Sequence, residues 1–184
     1  MNSRSGDGPP RWVLIATLVV SVGAAVAVLA VAAVLQRPDG PTPVSVAAVP
    51  APAAESADCR GLVEVLPEQL GDFRRAELVD PAPAGAAAWQ RDDSGEAVVL
   101  RCGLARPPEF VVGAPLQMVD AVSWLRIAED DAVSDGRTTW FAVDRPVYVA
   151  LTLPAGSGSA PIQGLSAVIT RALPERPIDP APPR

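Results

Sequence analysis

Trp12 to Leu35 is a run of 24 residues without a charge, and it constrains this chain more than any other stretch. At about 1.5 Å of rise per residue, a helix of that length extends about 36 Å, enough to cross a hydrocarbon core of about 30 Å with some tilt. The run predicts one transmembrane helix over residues 12–35, behind a short tail over residues 1–11. The rest of the chain then lies on one side of a membrane. Arg4 and Arg11 stand against Asp7 in the tail, and Arg11 abuts the apolar run. The positive-inside tendency keeps that end cytoplasmic and puts the C-terminal bulk outside the cytoplasm. Arg37 and Asp39 follow the run, so the charge asymmetry is small. A cleaved signal peptide is the competing reading, because Val46-Ala47-Ala48 and Ala51-Pro52-Ala53 resemble cleavage sites. A signal core holds only about 7 to 15 apolar residues, which favours an uncleaved anchor.

Residues 36–57 are dominated by Pro, Ala and Val, with Pro38, Pro41, Pro43, Pro50 and Pro52. No helical or strand periodicity runs through them, and prolines at that density favour an extended stalk. A single domain is expected over residues 58–174, since about 115 residues suffice for one hydrophobic core and not for two. A proline-rich tail, residues 175–184, is expected to be disordered.

Cys59 and Cys102 are the chain's two cysteines, and both fall on the side predicted to be extracytoplasmic. An even count outside the cytoplasm predicts a Cys59–Cys102 disulfide rather than two buried thiols. From Cys59 onward there are 17 acidic residues against 12 arginines, spread along the sequence, a net charge of −5. Such a chain offers no basic field for nucleic acid. The chain has no His and no Lys, which removes the commonest general base and the commonest metal ligand. Neither metal nor cofactor is expected.

The periodicities give an α+β domain. Leu62, Val63, Leu66 and Leu70 follow Asp58, a good N-cap, and suggest a first helix that Pro67 interrupts or ends. Arg74 to Val79 reads as a first strand. Ala86–Gln90 and Ala97–Leu104 flank Asp92-Asp93-Ser94-Gly95 as a hairpin. Val119–Ile127 and Thr138–Val143 form a second pair, and Val147, Val149, Leu151 and Leu153 alternate along a last strand. Ile162, Leu165, Ile169 and Leu173 recur at helical spacing and predict a second helix ending before Pro174. The expectation is an antiparallel sheet of about five or six strands with two flanking helices on one face.

Leu100-Arg101-Cys102-Gly103, Arg106-Pro107, Asp120-x-Val122-x-Trp124 and Asp144-Arg145-Pro146-Val147-Tyr148-Val149 resemble an uncharacterised family of actinobacterial single-pass membrane proteins, classed as a domain of unknown function. The resemblance covers about residues 58–174. It implies a cell-envelope location, a membrane anchor and a variable stalk, and it implies no activity.

No reaction chemistry is legible. There is no Gly-x-Ser-x-Gly elbow and no phosphate loop. Asp93-Ser94-Gly95 lacks the second carboxylate loop of an aspartic protease. Glu129, Asp130, Asp131 and Asp135 read as a solvated acidic loop rather than a calcium site. The candidate binding residues are Arg101, Trp124, Trp140, Arg145 and Tyr148. On a helix-free sheet face they would form an aromatic floor with guanidinium groups for a carboxylate-bearing ligand or a protein; alternatively the tryptophans are core and the arginines pair with Asp120 or Asp144. A non-catalytic, membrane-tethered binding or interaction domain is therefore expected, acting on an envelope protein or a wall precursor. A carboxylate-dependent envelope hydrolase and a structural subunit of an envelope complex are the alternatives.

Overall fold

The computed structural model describes residues 11–35, 42–91, 96–128 and 136–183. They fall into two compact units, one within residues 1–40 and one within 41–184. The first is helix α1 (Arg11–Leu35), apolar on every side, with none of its Trp12–Ala32 stretch buried in protein. Its two hydroxyl side chains, Thr17 and Ser21, bond to carbonyls one turn back on the same helix, so neither hydroxyl is left for an apolar surrounding to desolvate. Helix α1 is long and apolar enough to cross a membrane, and a helix of this kind near an N-terminus serves as an anchor or as a signal sequence.

The second unit is α+β. Helix α2 (Ala57–Glu64) leads into strands β1 (Gln69–Leu70), β2 (Phe73–Ala76), β3 (Ala86–Gln90), β4 (Ala97–Leu104), β5 (Leu116–Val119), β6 (Val122–Ala128), β7 (Thr138–Ala142) and β8 (Tyr148–Leu153), and helix α3 (Ala160–Ala172) closes it. All neighbouring strands are antiparallel, in the order β1-β2-β3-β4-β8-β7-β6-β5. The sheet thus has eight strands, not five or six, and the chain has three helices among its described residues.

The extra strands come from two tight turns. Val119 to Ile127 is not one strand: Asp120-Ala121 reverses the chain between β5 and β6, and Asp120 takes φ 52° to do so. Aspartate tolerates that left-handed conformation better than most residues. Gly71-Asp72 makes the corresponding turn between β1 and β2, with Gly71 at φ 59°. The first helix also begins earlier than expected, because Ser56 rather than Asp58 is the N-cap and its hydroxyl accepts from the Cys59 amide at 3.2 Å.

Both helices of this unit cover one face. Cys59 and Leu62 of α2, and Ile162, Leu165, Val168 and Ile169 of α3, pack with Trp89, Leu100, Cys102, Trp124, Val149 and Leu151 in the main core. The buried indoles keep hydrogen-bond partners: Trp89 donates to the Pro67 carbonyl at 2.8 Å and Trp124 to the Ser166 hydroxyl at 3.0 Å. Cys59 and Cys102 are joined in a disulfide that ties α2 to the central strand β4.

The other face is covered by coil. Val44 is buried, bridges Leu78 and packs with Ala76 and Ala88, so residues expected to be free stalk lie on the sheet from Val44 onward. Ala53 donates to the Gly103 carbonyl at 3.0 Å. A Cβ on Gly103, whose φ is 84°, would lie 2.3 Å from the backbone of Ala53 and Ala54, so only glycine admits that approach. The C-terminal tail is also placed, contrary to the expectation of disorder. Arg176 donates to the Asp144 carbonyl, and Ala181 exchanges backbone hydrogen bonds with Phe110 and Val112. The turn at residues 92–95 and the acidic loop at residues 129–135 lie outside the described residues.

Candidate functional site

Two coils on the helix-free face leave a channel between them. Residues 44–54 lie over β2, β3 and β4, while residues 104–114 lie over Leu125, Phe141, Val143 and Tyr148. A groove of about 540 Å³ opens between these covers. Its floor is Arg101 of β4, Ala150 and Thr152 of β8, Thr139 and Phe141 of β7, and Ile127 of β6; Val49 and Pro50 form one wall and Leu104 to Glu109 the other. Strand alternation delivers these residues, because Arg101 lies opposite Ala150 and Ala150 opposite Phe141 in register. The Thr139 and Thr152 hydroxyls bond to each other at 3.0 Å across the floor.

Arg106 stands at the rim, where Pro107-Pro108 fixes an extended coil. Its Nη1 donates to the Asp179 carbonyl at 2.9 Å and lies 3.3 Å from the Asp179 carboxylate. Both side chains are exposed, so this ion pair adds little stability. It does show a carboxylate seated on the rim arginine.

The sequence-predicted residues divide between three places. Arg101 and Tyr148 are on the helix-free face, Arg101 within the groove and Tyr148 edge-on to Phe110 at 6.4 Å between centroids. Trp124 is fully buried on the opposite face against α3, and Trp140 is also on that face, half-buried beside the main core. Arg145 is buried in the β7–β8 connection; it pairs with Asp144 at 3.0 Å and donates to the Ala121 carbonyl at 2.6 Å. The five residues therefore do not converge, and the aromatic floor expected from Trp124 and Trp140 is replaced by Phe141 and Ile127. Arg106 and Phe141 escaped notice as site residues. The usable signal for Arg106 was an arginine beside two prolines just past the end of a strand.

Tyr148 is the chain's single tyrosine. Burial raises its pKa above the ordinary value, Arg106 opposes that shift, and Asp179 adds to it. A tyrosine with a raised folded pKa holds its proton in the folded state over a range where the unfolded state has lost it. Its contribution is complete below the unfolded value of about 10 and is lost as pH rises through the folded value. Near-UV absorbance should give a titration midpoint above that of the denatured protein, and Asp179→Asn should move it down. Coincident folded and denatured midpoints would refute this environment for Tyr148.

These features define a class: an α+β domain with one internal disulfide, an open groove on its helix-free face, and a separate apolar helix ahead of it. The chain belongs to the family of proteins of unknown function designated DUF3515, whose family model matches residues 18–178. That match takes in most of α1 as well as the groove and both cysteines. No curated protein and no solved structure matches the chain.

Proposed function

We propose that this protein is a non-catalytic binding module of the cell envelope, held in the membrane by α1 with its folded unit on the extracytoplasmic side. The groove between the two coils is its binding surface, and its ligand is a segment of an envelope protein or wall precursor that presents a carboxylate beside apolar groups. One observation carries the reading: an apolar channel has Arg101 in its floor and Arg106 at its rim, and Arg106 already holds a carboxylate. Guanidinium groups recognise carboxylates through paired donors, and the apolar floor supplies the area that a charge contact lacks. The disulfide supports an oxidising compartment, and Arg4 and Arg11 support a cytoplasmic N-terminus. Hydrolysis by paired carboxylates is the weaker reading, because among the described residues the groove lining includes one acid, Glu109.

Photocrosslinking in the native membrane tests the proposal. A photoreactive residue at position 141, in the groove floor, should give defined adducts that Arg101→Gln reduces about tenfold, as expected for loss of a charge-assisted hydrogen bond. Asp179→Ala should increase them, because it frees Arg106. A probe at position 118, exposed on the outer strand β5, is the control. Adducts at 141 that are indifferent to both substitutions would sink the groove as a binding surface.

A further inference from the structure

A second hollow lies on the opposite side of the sheet, where α2 and α3 do not reach the corner made by β5, β6 and β7. Its volume is about 340 Å³, at the lower end of the ~300–1,000 Å³ range of small-molecule sites. Trp140 forms its inner surface, and Arg126, Gln117 and Thr138 stand around it, with the glycine-rich turn after β8 as the opposite wall.

The polar side chains here are uncommitted. Gln117, Arg126 and Thr138 make no hydrogen bond or ion pair among the described residues. Arg126 is exposed, and its guanidinium carbon sits 5.9 Å from the Trp140 ring centroid. A cation–π contact at that separation keeps the guanidinium near the indole while leaving its N–H donors available. In a unit where acids outnumber arginines 17 to 12 from Cys59 onward, an arginine with no carboxylate partner among the described residues is notable in charge terms. The amide of Gln117 and the hydroxyl of Thr138 each donate and accept. Around the half-buried Trp140, the set offers one cation, two two-way hydrogen-bonding groups and an apolar surface.

We infer that this corner is a binding site for an anionic saccharide unit, one bearing a carboxylate or phosphate. A sugar ring has an apolar C–H face to lie against Trp140 and Leu153, and hydroxyls for Gln117 and Thr138. The anionic group pairs with Arg126, the one charged residue among the described residues of the lining. The inference does not depend on the groove proposed above, since the two hollows lie on opposite faces and share no residue.

The test uses the full chain in nanodiscs of neutral lipid and follows tryptophan fluorescence. Trp89 and Trp124 are fully buried with their indole N–H groups bonded, while Trp12 of α1 is exposed; the experiment is therefore run in a Trp12→Phe background, and the responsive signal is assigned to Trp140 by its absence in Trp140→Phe. Glucuronate and glucose 1-phosphate are expected to produce a saturable change that weakens with added salt, and glucose a much weaker one. Arg126→Gln should weaken the anionic ligands about tenfold or more with little change in the unfolding midpoint, while Arg106→Gln at the groove should leave them unaffected. Equal affinities in wild type and Arg126→Gln, or no saturable response to either anion, would overturn the inference. A response confined to nanodiscs containing phosphatidylglycerol would overturn it as well, by assigning Arg126 to a lipid headgroup.

Discussion

Asp144→Ala is expected to destabilise the folded unit by about 3–5 kcal/mol, the usual cost of removing one partner from a buried ion pair. Asp144 and Arg145 are 4% and 7% exposed, so the remaining guanidinium would be left without its counter-charge in a poorly solvated place. Asp144 Oδ2 accepts from the Ser123 amide of β6 at 2.7 Å, and its Oδ1 faces Arg145 Nη1 at 3.0 Å as a charge contact rather than an aligned hydrogen bond. Arg145 in turn holds the Ala121 carbonyl in the β5–β6 turn, and the Asp144 carbonyl receives the Arg176 amide from the tail. The pair therefore ties the β7–β8 connection to the β5–β6 turn and to the C-terminal tail. Denaturant unfolding should show Asp144→Ala/Arg145→Leu recovering part of the loss, because removing both side chains leaves no uncompensated charge, although the Ser123 amide and the Ala121 carbonyl lose their partners. A loss below about 1 kcal/mol for Asp144→Ala would mean that water reaches the guanidinium.

Removing the disulfide should have an effect of similar size. The two cysteines are 43 residues apart, and closing a loop of that length restricts the unfolded chain by about 4 kcal/mol on the chain-entropy model. The comparison to make is the oxidised protein against Cys59→Ala/Cys102→Ala, by equilibrium denaturation. Both positions are fully buried, so alanine avoids burying new hydroxyls. The reduced wild type should unfold close to the double variant, and thiol labelling of the denatured, unreduced protein should find no free thiol. A difference below about 1 kcal/mol would show that the unfolded chain is already compact near those residues.

What could be read in advance was governed by how many faces each element buries. Strand β8 alternates cleanly, and in β4 the alternation of Val98, Leu100, Cys102 and Leu104 puts Arg101 on the other face; Leu104 itself leaves that set, because the register shifts between Cys102 and Leu104 and it lines the groove. In β6 both faces are apolar: Val122 and Trp124 pack under the helices while Leu125 and Ile127 lie under coil. Alternation then cannot say where Trp124 points. Trp140 and Phe141 pose the same ambiguity one strand over, and the helix-covered side received the indole. The Arg145–Asp144 pair is one of the alternatives open from the sequence, whereas the other partner of Arg145 was hidden, since it is the Ala121 carbonyl, a backbone group of a turn that has no glycine. The placed segments at either end were hidden because prolines do not prevent a chain from bonding to a sheet at intervals, as Val44 and Ala181 do. The disulfide needed only the cysteine count and the compartment expected from the apolar run. The groove needed both coils in place, and neither has a periodicity to betray it.

The Cys59–Cys102 bond also decides how the unit carries tension. A pull on the chain at Thr42 first opposes the backbone bonds of Val44 to Glu77 and of Ala53 to Gly103. Once these open, peeling stops at Cys59, after at most about 60 Å of extension at roughly 3.3–3.6 Å per residue. Beyond that point the load passes through sulfur directly into β4, which is bonded on both sides, to β3 and β8. Residues 60–101 lie inside the covalent loop, so most of α2 and all of β1, β2 and β3 are excluded from the load path.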